Sequence, residues 1–158
     1  MFALRWSDID MATGGVSITR SMADRKGEFK EKPVKTANGR RRVVLDFSRP
    51  ALEDHRQQMA AEGQDVAAGF VFCTTEGGPL RKEWFSTHAF KPAKKAAKLP
   101  DLTFHGIRHG SATLALLAGV DTKIVSRRLG HHSSGFTANE YQHVLAGMQE
   151  RAAGAPAC

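Results

Sequence analysis

The sequence predicts an α+β fold, mostly helical, with a small antiparallel β-sheet near the N-terminus. Three features of the chain point to it. Residues 105–141 hold apolar residues at helical spacing, punctuated by capping residues. Residues 50–63 begin with proline and end with glycine, the usual asymmetry of a helix. The first 45 residues instead contain a short alternating stretch and an Asn-Gly pair, the signs of strands and a tight turn.

Met1 to Asp10 reads as the end of a helix running into a turn, with Phe2, Leu4 and Trp6 as packing residues. Gly14-Gly15 marks a turn, and Val16 to Thr19 alternates as a half-buried strand would. Residues 21–31 are charged and read as a loop. Asn38-Gly39 predicts a two-residue hairpin turn between strands at 32–37 and 40–45, with Lys35 near the tip and Arg40, Arg41 and Arg42 after it. A helix is expected over 50–63, then a buried extended segment at Phe70 to Phe72 and a loop at Glu76 to Pro79. Residues 81–98 read as helical, with Trp84, Phe85 and His88 inward, Pro92 interrupting, and Lys91, Lys94, Lys95 and Lys98 on a basic side.

The next stretch organises the chain. Residues 105–118 fit one amphipathic helix with Ile107, Ser111, Leu114, Leu117 and Ala118 toward the core. That register turns His105, Arg108 and His109 away from the core. Gly119 suits the stop, Asp121 an N-cap for a second helix, and Gly130 its stop. Thr137 and Glu140 form a capping-box pattern, which places Tyr141, the chain's single tyrosine, in the first turn of a third helix.

The chain has 158 residues, enough for one domain with a core, and 41% of them are hydrophobic. Lys and Arg total 23 against 16 Asp and Glu, a formal charge of +7 that favours a polyanionic partner, nucleic acid before a membrane surface. No run of apolar residues is long enough for a membrane span, and no secretory signal pattern stands out. The two cysteines, Cys73 and Cys158, do not suggest a disulfide framework. These features fit a cytoplasmic protein. His105 and His109 stand four apart and could hold a metal, but no third ligand accompanies them, and no metal or cofactor is expected.

The order His105-x-x-Arg108, then Leu129-Gly130-His131, then Tyr141 ten residues later resembles the catalytic domain of the tyrosine recombinases, the phage-type integrases. The resemblance implies a catalytic domain over residues 1–150 and a frayed tail over 151–158. It implies Tyr141 as nucleophile, Arg108 as phosphate clamp, His105 as acid-base residue, His131 as a donor to a phosphate oxygen, and Lys35 as the acid at the leaving oxygen. His131 is preferred to His132 on spacing. The implied reaction is site-specific DNA recombination through a 3′-phosphotyrosyl link. Double-stranded DNA is the implied partner, with self-association on it, tetrameric in the family. Arg40, Arg41, Arg42, Lys91, Lys94 and Lys95 would touch its backbone, which positions a duplex without reading its sequence. Leu4 to Asp10 is similar to a family segment that follows the first catalytic arginine. In that register the arginine, and the helix or helices around it, fall before Met1, and Arg5 is not its counterpart. Impaired strand transfer is therefore expected of these 158 residues alone. The alternative is a non-catalytic DNA-binding remnant or regulatory module.

Overall fold

The computed structural model describes residues 2–25, 28–34, 39–45, 48–99, 102–131 and 133–142. The chain divides into two compact units, Met1–Leu99 and Pro100–Cys158. As expected, the fold is helical with a small antiparallel sheet component near the N-terminus.

In the first unit, a 3-10 turn at Trp6–Asp8 leads into β1 (Ile9–Asp10) and β2 (Gly15–Ile18). Asp10 closes the turn between them by accepting from the Ala12 and Thr13 amides and the Thr13 hydroxyl. Those bonds hold its carboxyl below the usual carboxylate range. β3 (Arg20–Arg25) and β4 (Glu28–Pro33) follow, then β5 (Arg41–Val44). The sheet order is β1-β2-β5, with Gly15 opposite Val44 and Ile18 opposite Arg41.

Two expectations change here. Residues 21–31 are not a loop: β3 and β4 form an antiparallel ribbon, Ala23 opposite Lys30. A two-stranded ribbon has no buried face to enforce apolar alternation, so its charged composition hides it. It is held instead by ion pairs of Arg20 with Asp8 and Glu31, by Arg5 on Glu31, and by Arg81 over the Phe29 ring. The predicted Asn38-Gly39 hairpin also differs, since β4 pairs with β3 and β5 with β2 rather than with each other. Lys35 and Asn38 lie outside the described residues.

Helix α1 (Arg49–Ala61) carries Pro50 in its first turn, and Gly63 follows with φ +77°. Trp6, Met59 and the fully buried Val71 form the core of this unit, with Leu4, Ile9, Leu52 and Phe72 around them. His55 stacks on Phe72, and its Nε2 lies 2.7 Å from the Val71 carbonyl oxygen. Residues 82–96 run as α2 (Lys82–Phe85), a π-helical turn (Ser86–Phe90) and α3 (Lys91–Ala96). Pro92 explains the wide turn: it lacks an N–H, its ring crowds the carbonyl four residues back, and the ladder shifts register there. Trp84 is not inward as predicted. It is half exposed and stacks on His88, which is itself exposed.

The second unit contains α4 (Phe104–Leu117), α5 (Thr122–Leu129) and α6 (Ser134–Glu140). Thr103 caps α4 by accepting from the Gly106 amide at 2.8 Å, and Asp121 caps α5 by accepting from the Lys123 amide at 2.7 Å. Gly130 ends α5 with φ +74°, a backbone conformation that disfavours any side chain. The core is Ala112, Leu116, Val125 and Tyr141, with Ala115 and Leu129 against it.

That core reverses the predicted face of α4. Ile107, Leu114 and Leu117 are exposed, while Ala112 and Leu116 are buried in line with Arg108 and His109. Small alanines let α5 and the end of α6 approach on the side that carries the polar trio. Periodicity weights the larger apolar side chains and so selects the other side. Leu116→Ala should therefore lower unfolding free energy by about 2–5 kcal/mol, whereas Leu114→Ala, at an exposed site, should stay within about 0.5 kcal/mol of the parent. Urea melts of both variants distinguish the two faces. Asp121→Ala should cost about 0.5–2 kcal/mol through loss of its cap in the same measurement.

Candidate active site

Helix α4 places His105, Arg108 and His109 within one turn, so three polar side chains leave neighbouring points of its surface. Arg108 Nη2 donates to the Leu129 carbonyl at 2.5 Å. Leu129 ends α5, where unpaired carbonyls carry partial negative charge that suits a guanidinium. The interaction fixes the arginine against the turn that leads to His131.

His131 follows the left-handed Gly130, and its amide donates to the Ser126 carbonyl at 3.1 Å. Its Nδ1 lies 2.7 Å from Thr137 Oγ1. Ser126, buried, donates its hydroxyl to the Ser133 carbonyl at 3.0 Å, which closes the same turn. Thr137 is fully buried, and this shows why it is not a cap. Helix α6 starts at Ser134, so Thr137 lies inside it and its hydroxyl meets His131 instead. Tyr141 follows the last residue of α6 and does not sit in a first helical turn. His132 lies outside the described residues.

Tyr141 is 2% exposed, its ring among Ala112, Leu116 and Val125. Its hydroxyl leaves that cluster and lies 3.1 Å from His109 Nδ1. Nε2 of the same imidazole lies 2.6 Å from His105 Nε2 and 3.8 Å from Glu140 Oε1. Burial raises the Tyr141 pKa above that of an ordinary phenol. The Glu140 charge adds to the rise, and the Arg108 charge opposes it. The phenol, two imidazoles and a guanidinium thus act on one another within this unit.

His109 is the residue that the expected site set did not include. The pattern H-x-x-R-H puts it one helical turn from His105, so the shared face was readable. Its partner, 32 residues away, was not. His105 was expected as the acid-base residue, and here His109 stands between it and the Tyr141 hydroxyl. Lys35 lies outside the described residues. Among the basic residues expected at a duplex, Arg42 bonds Thr13 and Asp10 and is largely exposed. Arg41 donates to the Gly39 carbonyl, and Arg40 is exposed. Lys94 lies over the Phe90 ring, while Lys91 and Lys95 are exposed. Among the described residues, no three His, Cys, Asp or Glu side chains are grouped to hold a metal, and no helix is long and apolar enough to cross a membrane.

Comparison with known proteins places this geometry in a family. The phage integrase family profile matches residues 1–148. A tyrosine recombinase XerC-like protein of Caldanaerobacter subterraneus is 34% identical, over 92% of this chain and 41% of the relative. The ICEBs1 integrase of Bacillus subtilis is 28% identical, over 97% of this chain and 43% of the relative. The chain therefore spans about two fifths of the length of these relatives. Among solved structures, the Tn1549 transposon integrase in complex with a circular intermediate DNA superposes with a TM-score of 0.75 at 22% identity, over 95% of this chain and 52% of that one. The shared fold, the profile match and the ordered His105, Arg108, His131 and Tyr141 lead to one conclusion: the chain belongs to the phage integrase family.

Proposed function

We propose that this chain is the strand-cleaving part of a tyrosine recombinase, acting on double-stranded DNA in site-specific recombination or integration. The observation that carries the reading is the hydrogen-bonded set around Tyr141, on residues that the family profile covers. Tyr141 Oη attacks a backbone phosphorus and forms a 3′-phosphotyrosyl link, releasing a 5′-hydroxyl. The link keeps the phosphodiester energy, so the hydroxyl of another strand can displace the tyrosine without a nucleotide cofactor. Arg108 stabilises the charge that gathers on the non-bridging oxygens, a planar cation able to bond two of them. His131, oriented through Thr137, donates to one of those oxygens. Lys35 protonates the leaving oxygen. Arg40, Arg41, Arg42, Lys91, Lys94 and Lys95 meet the duplex backbone. Self-association on DNA belongs to the same reading.

The Tyr141 ring is buried, while its hydroxyl leaves that core toward the partly exposed His109, so the attacking oxygen lies at the edge of the packing. By the family pattern a second arginine, not among these 158 residues, completes the phosphate clamp. Loss of one preorganised donor lowers such rates by about 10²–10³-fold. The 158 residues alone are thus expected to bind DNA and cleave slowly.

Incubation with a nicked suicide substrate, followed by peptide mass spectrometry, tests the reading on this chain and on the chain extended upstream. A covalent adduct on Tyr141, lost in Tyr141→Phe, is expected; an adduct on another residue, or none from either polypeptide, rejects it in favour of a DNA-binding module without strand transfer. Arg108→Ala should slow adduct formation by about 10²–10³-fold in single-turnover assays. The single tyrosine also permits a direct titration at the tyrosinate absorption band. Its midpoint should lie above that of a free phenol. Because the folded state holds this proton more tightly, its contribution to stability is complete below the free phenol's pKa and disappears as pH rises through the folded value. Urea melts should show that alkaline loss in the parent and less of it in Tyr141→Phe.

A further inference from the structure

Strand cleavage asks Tyr141 to give up a proton that its burial helps it keep. The group at its hydroxyl is His109, whose ring centroid lies 5.7 Å from the phenol's. Nδ1 faces the phenol oxygen at 3.1 Å, and Nε2 of the same ring faces His105 Nε2 at 2.6 Å. Two ring nitrogens that close need one hydrogen between them, since none would oppose two lone pairs and two would collide. The phenol, His109 and His105 therefore form a continuous line of exchangeable hydrogens, flanked by the Glu140 carboxylate 3.8 Å from His109 Nε2. His109 lies one helical turn from His105 and directly follows Arg108, so the element that supplies the phosphate clamp also fixes this imidazole.

We propose that His109 is the proton acceptor for Tyr141 and that His105 receives the proton from it, an inference that rests on the strand-transfer reading. At rest the Tyr141 hydroxyl donates to His109 Nδ1, and His109 Nε2–H donates to His105 Nε2. As the bond from Tyr141 Oη to phosphorus forms and the bond from phosphorus to O5′ breaks, the phenol proton moves to His109 Nδ1. The proton on His109 Nε2 moves to His105 Nε2. His109 ends neutral and His105 ends as imidazolium. The departing O5′ takes its proton from the general acid, the Lys35 ammonium in the reading above. The Glu140 carboxylate lies beside His109 Nε2, and the Arg108 charge favours the phenolate. The relay takes the proton at the hydrogen bond the hydroxyl already makes, without requiring water beside the buried ring.

Two measurements test this separately from the strand-transfer reading. Side-chain nitrogen NMR of the full chain should show neutral His109 protonated on Nε2 and bare on Nδ1, with the Nδ1 signal moving in Tyr141→Phe. A His109 protonated on Nδ1, or unresponsive to Tyr141→Phe, overturns the relay whether or not the chain cleaves DNA. The second measurement is single-turnover adduct formation, in whichever length of polypeptide forms the Tyr141 adduct. His109→Asn keeps an acceptor near the Nδ1 position but cannot take up a proton. It should slow adduct formation by about 10²–10⁴-fold with unchanged DNA affinity and melting temperature, and added imidazole should restore part of the rate to His109→Gly. The defect of His109→Asn should persist on DNA with sulfur in place of the leaving O5′, because a thiolate leaves unprotonated while the phenol must still ionise. A parent-like rate in His109→Asn, or relief of its defect by the sulfur substrate, overturns the assignment. Failure of every polypeptide to form an adduct rejects strand transfer itself, and the NMR result then stands alone as the judgement on the hydrogen-bonded line.

Discussion

The packing of the Tyr141 ring against Ala112, Leu116 and Val125 is the contact on which the second unit depends. It draws the end of α6 onto α4 and α5, and the depth of that seat sets where the hydroxyl emerges. Alanine at 112 leaves room for the ring, and Leu116 behind it is almost wholly buried. The oxygen then meets the His109 imidazole on that side of α4. Hydrophobic burial places the ring, and a single hydrogen bond orients its hydroxyl.

Around this seat the polar groups are fixed by backbone carbonyls and by neighbouring side chains. Arg108 is anchored on the carbonyl that ends α5, and the left-handed Gly130 turns the chain at that point. His131 leaves the turn already oriented by Thr137. The pair Ser126 and Ser133 closes the loop beneath it. Such anchoring limits the reorganisation that a charged transition state would require, because donors held by the scaffold need not be gathered at the moment of reaction.

How much of this was readable in advance depended on whether the signal was local. Thr103 and Asp121 as caps, Gly119 and Gly130 as stops, and the limits of α1 follow from residue types that satisfy helix ends, and all can be read over a few positions. The ordered His105, Arg108, His131 and Tyr141 were legible as a pattern because spacing alone carries it. The partners of β4 and β5 were not, since Asn38-Gly39 suggests a turn without naming which strands meet. The buried face of α4 was misread because Ala112, Ala115 and a single leucine, Leu116, make the contact while Ile107, Leu114 and Leu117 stay outside. Thr137 fits a capping pattern, and only the early start of α6 shows that its hydroxyl serves His131. The meeting of His109 with Tyr141 depends on how three helices fold together, which no window of sequence contains.

A side chain that fills the interior and, in the proposed reaction, also does the chemistry cannot be discarded lightly. Replacement of Tyr141 by a small residue would leave a void beneath α6 as well as removing the hydroxyl, so two penalties would arrive together. A descendant that had lost the proposed DNA cutting would still be under selection to retain an aromatic ring at this position. Phenylalanine is the substitution such a lineage should drift toward, and its presence would mark a retired nucleophile in a scaffold that still holds its shape.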